Sequence, residues 1–208
     1  YHFLEMPEEP VASGNFCLKD EKGNTVTSTL FEKMFSLAVV KMAALDPYGM
    51  GIEMEGGKPG WYDALNGLPG LLGSSMAETC ELERLVEYLL QALTEIPEKQ
   101  NKTITILTEI EELAQKILES GRNYMDEKQD TLEAVGFWNQ INLAKEAFRE
   151  KTAQNVKGTV CVKSAAQLGE ILLVYKEVLE KGIRKSRRLE DDVPATYYYY
   201  EVTEYQEV

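Results

Sequence analysis

The chain has 208 residues, 44% hydrophobic and 27% charged, which is enough apolar content to bury a core in one or two domains. Its formal charge of -13 disfavours a nucleic-acid partner, whose phosphates would be repelled, and an anionic membrane surface. No apolar run approaches the length needed to span a bilayer, so the expected partners include neither nucleic acid nor membrane.

Three widely separated cysteines, Cys17, Cys80 and Cys161, fit buried thiols in a reducing compartment better than a disulfide framework, and predict a cytoplasmic protein. With His2 as the one histidine, the composition argues against a zinc site or a Ser/His/Asp triad. No metal and no organic cofactor are expected. Acid–base chemistry must therefore rest on carboxylates or tyrosine. The start at Tyr1 rather than Met suggests a piece of a longer protein.

Residues 1–26 contain Pro7, Pro10, Gly14 and a Lys22-Gly-Asn turn, and read as irregular with a short hairpin. From Thr29 to Leu45, the spacing of Leu30, Phe31, Met34, Leu37, Ala38, Met42 and Leu45 predicts a helix, with Thr29 and Glu32 as its capping box. Asp46-Pro47 ends it, because the residue before proline avoids the α region. The next helix spans Met76–Thr94, with Ser75 as N-cap and a stripe of Leu82, Leu85, Val86, Leu89, Leu90 and Leu93. A third is predicted over Thr103–Ser120, stopped by Gly121, and a fourth from Asp126 to about Ala153 with Trp138 in its core face. Val156–Lys163 reads as a turn or short strand. Ser164 and Gln167 cap a last helix running to about Arg188. The tail, with Tyr197-Tyr-Tyr-Tyr200, predicts a strand or an extended packing strip. One helical domain over 1–208 is expected, with a candidate sub-boundary near 100–103, where charge density rises.

The stretch from Gly49 to Glu78 breaks this helical pattern. It reads Gly49-Met-Gly-Ile-Glu53-Met-Glu55-Gly-Gly-Lys58-Pro-Gly-Trp61-Tyr62-Asp63-Ala-Leu-Asn66, then Gly-Leu-Pro-Gly-Leu-Leu-Gly-Ser-Ser-Met-Ala-Glu78. Glycine permits positive φ and close approach to a ligand, and proline stiffens the connections. A loop of this length between helices points to function, and its aromatic and leucine content argues for order. An Asp after an aromatic in such a loop also suits an Asx turn or a helix cap. Glu78 suits a capping box as well as a ligand. Glu53 and Glu55 alternate with Ile52 and Met54, as in a short strand with one solvated face. The local pattern leaves these readings open.

Trp61-Tyr62-Asp63-Ala64 resembles a family motif. Inverting glycoside phosphorylases of the cellobiose and chitobiose type carry Trp-Asn-Asp-Gly-Met-Asn in a glycine-rich loop. Debranching-type glucosidases with the same toroidal helical fold carry Trp-Met-Asp-Ala. In both, the Asp two places after Trp is the general acid, a role the resemblance assigns to Asp63, with the trailing Asn falling on Asn66. Ser75-Met-Ala-Glu78 loosely matches a Gly-Glu-Ser segment that opens a helix. The run from Gly49 to Glu83 and the tail Tyr200-Glu-Val-Thr-Glu-Tyr205 are similar to large bacterial cellobiose-phosphorylase-like proteins; the resemblance covers roughly the first half of the chain and its tail and is weak between. Gly60 and Tyr62 depart from the phosphorylase pattern, which has Asp and Asn there.

The resemblance implies an all-α fold: antiparallel helix pairs forming part of an (α/α)-type toroid, completed by the remainder of a parent polypeptide. It implies cleavage or phosphorolysis of a glucoside or related oligosaccharide by inversion. A buried carboxylic acid can hold the proton that the leaving oxygen needs. Trp61 and Tyr62 would wall the pocket and stack on the sugar, and Asn66, Lys58 and Glu78 would bind substrate. An inverting hydrolase needs a second carboxylate about 6.5–9.5 Å away, for which Glu53 and Glu55 are the candidates. In a phosphorylase, inorganic phosphate attacks as co-substrate, and the nearby cations in sequence are Lys58 and Arg84. The alternative is a non-catalytic helical interaction or scaffold module.

Overall fold

The computed structural model describes residues 18–53, 73–95, 103–126, 131–189 and 192–200. Among them lie five helices, α1 (Leu30–Met42), α2 (Met76–Thr94), α3 (Thr108–Asp126), α4 (Thr131–Thr152) and α5 (Ala165–Leu189). Five short strands accompany them: β1 (Ile52–Glu53), β2 (Gly73–Ser75), β3 (Ile104–Leu107), β4 (Val160–Lys163) and β5 (Tyr197–Tyr199). The described chain is mostly helical, as expected, and adds two small antiparallel sheets, ordered β1-β2-β5 and β3-β4, to the extended tail that the sequence predicts. No described helix is long and apolar enough to cross a membrane.

Helices α1, α2, α5 and α3 each pack against two of the others, closing a ring, and α4 lies against α3. The core inside the ring is aliphatic and aromatic. It takes Phe35 and Val39 from α1, Val86 and Leu89 from α2, Ala114 and Ile117 from α3, and Leu172, Tyr175 and Val178 from α5. Each fully buried side chain of this kind stabilises the fold by about 1.5–3 kcal/mol relative to leaving it in water. The one polar atom deep in this set, the Tyr175 hydroxyl, donates to the Ala114 carbonyl at 3.1 Å. Burial pushes that phenol well above its ordinary pKa, so it remains a donor.

Local caps set the helix starts. The Thr29 hydroxyl accepts from the Glu32 amide at 3.1 Å, starting α1 where its sequence predicts. The Glu32 carboxylate then reaches a partner outside the helix, accepting from the Leu107 amide at 2.8 Å. Leu107 immediately precedes α3, so this buried carboxylate ties the start of α3 to α1. Ser75 caps α2, and Ser164 and Gln167 exchange both bonds of a capping box ahead of α5.

Both ends of α3 differ from expectation, and Asp126, expected to open the fourth helix, ends α3 instead. Residues 104–107 form a strand, because Ile104–Leu107 pairs with Val160–Lys163, from Leu107↔Val160 at a sequence separation of 53 to Ile104↔Lys163 at 59. Gly121 does not stop α3, which runs on to Asp126. A Cβ at Gly121 would lie 3.2 Å from a Val174 methyl and 3.3 Å from a Val178 methyl, so this glycine serves close packing of α3 on α5. Among the described side chains of α4, Ala134, Phe137, Ile141 and Lys145 are buried, whereas Val135 and Leu143 are exposed. Trp138, expected in the core, is half-buried.

The tightest approach is at Gly182 of α5, where a Cβ would sit 1.8 Å from the Gly49 carbonyl oxygen. Backbone cannot yield there, so Gly182→Ala should cost about 3 kcal/mol. At Gly121→Ala only methyl tips must shift, and alanine regains about 1 kcal/mol of helix propensity. Urea unfolding midpoints should therefore fall sharply for the first variant and stay near wild type for the second.

Candidate functional site

The turn after α1 is written Asp46-Pro-Tyr-Gly-Met-Gly51, and its aspartate organises it. Asp46 Oδ1 accepts from the amides of Tyr48 at 3.0 Å and Met50 at 2.9 Å, and Oδ2 accepts from the Gly51 amide at 2.7 Å. Pro47 has no N–H to place, and Gly49 takes φ +65, the left-handed conformation that the turn needs. The Asp46 amide and carbonyl close the turn on Gly51 and Gly49.

Two side chains from distant parts of the chain complete the same carboxylate. Ser74 on β2 donates to Oδ2 at 2.8 Å, and Tyr200, just past β5, donates to it at 2.7 Å. Asp46 is 1% exposed and holds five donors. Burial pushes its carboxyl pKa up, while Tyr200, Ser74 and the amides pull the other way. Tyr200 is itself pushed far above the ordinary phenol range, first by burial and then by the Asp46 charge, so its hydroxyl is a fixed donor.

Around this pair lies an aromatic and cationic layer. The Tyr48 and Tyr200 rings lie 5.5 Å apart, and Lys185 Nζ of α5 sits 3.8 Å from the Tyr48 ring centroid. Such cation–π contacts contribute about 0.5–2 kcal/mol, more when desolvated. Burial lowers the Lys185 pKa, and Asp46 raises it in return. One turn earlier on α5, Lys181 lies over the Tyr124 ring and donates to the Tyr124 carbonyl. The Tyr124 hydroxyl in turn donates to the Tyr48 carbonyl at 2.8 Å.

The strands put this cluster at the base of the Gly49–Glu78 stretch. Glu53 pairs with Ser74 and Ile52 with Ser75. β2 also pairs with β5, with Ser74 opposite Tyr198. Glu55, Lys58, Trp61, Tyr62, Asp63 and Asn66 lie outside the described residues, as do His2, Cys17 and the tail beyond Tyr200.

Glu53 and Glu78 are described, and both carry structural contacts. Glu53 accepts from the Trp138 indole and from Lys145 at 3.4 Å, with its side chain only 16% exposed, which binds α4 to the strand pair. Glu78 stands in the first turn of α2, where its amide donates to the Ser75 hydroxyl, and its carboxylate pairs with Lys41. Arg84 is exposed and pairs with Glu81. Among the described residues, Lys181 and Lys185 also lie near the base of the stretch, and sequence spacing did not associate them with it. Asp46 read only as a helix stop, although an Asp followed by Pro and two glycines is also an Asx-turn signature. Tyr200 had no local signal, because its partner lies 154 residues away.

Among the described residues no group of three or more His, Cys, Asp or Glu could hold a metal ion. A separate groove of about 860 Å³ runs between α3 and α4, lined by Glu112, Lys116, Glu119, Leu143, Ala147 and Phe148 among others, and shares no residue with the Asp46 cluster. No family model and no curated protein matches the chain.

Asp46→Asn would turn a donor group toward amides that themselves donate. The variant should lose about 2–4 kcal/mol of stability, read from chemical denaturation, because a buried polar mismatch costs more than a missing bond. A midpoint equal to wild type would remove Asp46 from its organising role.

Proposed function

We propose that this chain is part of a carbohydrate-active enzyme of the cellobiose-phosphorylase-like kind, cleaving or phosphorolysing a glucoside or related oligosaccharide by inversion, with Asp63 as general acid. The observation that carries the reading is that Ser74 and Tyr200 donate to the same Asp46 oxygen. The resemblance rests on two separated stretches, Gly49–Glu83 and the tail that opens at Tyr200. Ser74 lies in the first stretch and Tyr200 opens the second, so the two meet at Asp46, beside the sheet in which β2 pairs with β5. Shared function is a physical reason for stretches so far apart in sequence to resemble one family and to be built against each other.

In this reading Asp63 delivers the proton to the leaving glycosidic oxygen, and Trp61 and Tyr62 raise its pKa by excluding water and stack on the sugar. Asn66 binds a sugar hydroxyl. Glu53, engaged by Trp138 and Lys145, is poorly suited to activate water, which leaves Glu55 as the better candidate for a second carboxylate. Phosphate as the attacking group needs cationic donors rather than that carboxylate. Lys58, with Lys181 and Lys185 on α5, supplies cations on and beside the stretch. The toroid would be completed by the rest of the parent polypeptide.

The α3–α4 groove supports a second reading, a helical interaction or scaffold module that retains the stretch without chemistry. Turnover by the complete protein separates the two. With cellobiose and phosphate supplied, Asp63→Asn should abolish sugar release while leaving Tm nearly unchanged. Sugar 1-phosphate as product marks a phosphorylase, and phosphate-independent free sugar marks a hydrolase. An undiminished rate in Asp63→Asn removes that residue from the mechanism, and no turnover of any glucoside favours the module.

A further inference from the structure

We propose that the outer edge of β4 is a pairing surface for a second copy of this chain. Two β4 strands run antiparallel about a twofold axis at Cys161, so that two β3–β4 ribbons become one four-stranded sheet. The inference holds whether or not the chain acts on sugars.

The β3–β4 register decides which backbone groups the edge offers. The Thr108 amide donates to the Thr159 carbonyl at 3.0 Å, one step beyond the pairing of Leu107 with Val160. Hydrogen-bonded and non-hydrogen-bonded pairs alternate along an antiparallel ladder, so Ile106 and Cys161 exchange bonds, whereas Leu107–Val160 and Thr105–Val162 do not. The N–H and C=O groups of Val160 and Val162 therefore point away from β3, and among the described residues no strand takes them up. On β3 the equivalent edge is closed, because the Leu107 amide donates to Glu32 of α1. β4 has no such cover, and Val160 and Val162 are 52% and 59% exposed. Proteins ordinarily blunt an edge with charge, proline or a bulge. Here the one charged residue of the strand, Lys163, is held by Glu111.

This edge is complementary to itself. An axis at Cys161 sets Val160 of each copy opposite Val162 of the other, and the outward N–H groups of one copy meet the outward C=O groups of its mate. Val160 and Val162 lie on one face of the strand, so the valines of both copies join into one apolar patch across the new ladder. The strand ends also match in charge. Lys163 of one copy falls opposite Thr159 of the other, next to Gly158, against which Asp20 packs; a Cβ at Gly158 would lie 2.8 Å from the Asp20 Cβ. A strand this short buries little surface, so the association is weak and depends on concentration.

Sedimentation equilibrium of the full chain tests this. At sub-millimolar concentration the mass should rise from 23.5 kDa toward twice that value. Val160→Lys and Val162→Lys each bring unpaired charge into the ladder and should raise the dissociation constant at least about tenfold, with helical circular dichroism unchanged. Val135→Lys, the same charge change at an exposed position of α4, should associate as wild type does. In a chain carrying Cys17→Ser and Cys80→Ser, diamide should join two copies through Cys161, each thiol giving its hydrogen to the diamide as the S–S bond forms. The axis makes Cys161 a non-hydrogen-bonded pair with its own mate, which brings the Cα atoms within disulfide range. A monomer at every concentration overturns the pairing, as does a dimer that both lysine variants leave intact or that diamide does not link. Should the lysine variants unfold, the crosslink decides by itself. A monomer whose Val160 and Val162 amides exchange more slowly once a Thr159–Lys163 peptide is added assigns the edge to an extended segment of another protein, and overturns the dimer too.

Discussion

A carboxylate taken out of water governs the way this chain closes. Moving Asp46 into the interior costs several kcal/mol, and that cost is offset only if its oxygens are supplied with donors. Five are in place: three amides from its own turn, one hydroxyl from β2 and one from the tail. The amides are local and fold the Asp46–Gly51 turn. The hydroxyls come from 28 and 154 residues away, and they make the turn the meeting point of three segments.

The helices around this point are arranged to admit it. Gly182 lets α5 come against the carbonyl of Gly49, and that contact brings Lys181 and Lys185 to the Tyr124 and Tyr48 rings. Gly121 does the same between α3 and α5, which carries Tyr124 on α3 to the Tyr48 carbonyl. Two glycines inside helices, each unfavourable by about 1 kcal/mol in isolation, thus make room for contacts that a Cβ would block. Glu53 extends the same economy to the outer helix, since Trp138 and Lys145 on α4 are satisfied by one carboxylate at the edge of the strand pair.

The helical elements were largely legible in the chain. Ser75 and the leucine stripe behind it mark α2 to both ends, and the Ser164–Gln167 box marks the start of α5. Failure came where a long-range partner overrode local pattern. Ile104–Leu107 pairs with Val160–Lys163, and its β-branched Ile-Thr-Ile run favours a strand, but the helical spacing that follows on its C-terminal side drew it into the predicted helix. Gly121 looks like a stop signal when its packing against Val174 and Val178 is unknown. Trp138 looks like a core residue until Glu53 gives its N–H a partner.

The same division runs through the candidate site. Residue types and spacing mark Gly49–Glu78 as the unusual stretch and argue against histidine chemistry, because these depend on composition, whereas the role of Asp63 rests on the resemblance. Only the tertiary structure decides that Asp46 is a hub rather than a helix stop, that Tyr200 completes it, and that Glu53 and Glu78 are spent on Trp138, Lys145 and Lys41. The reason is physical: a hydrogen bond to a buried carboxylate depends on where the chain brings the donor, and no short window of sequence contains both partners.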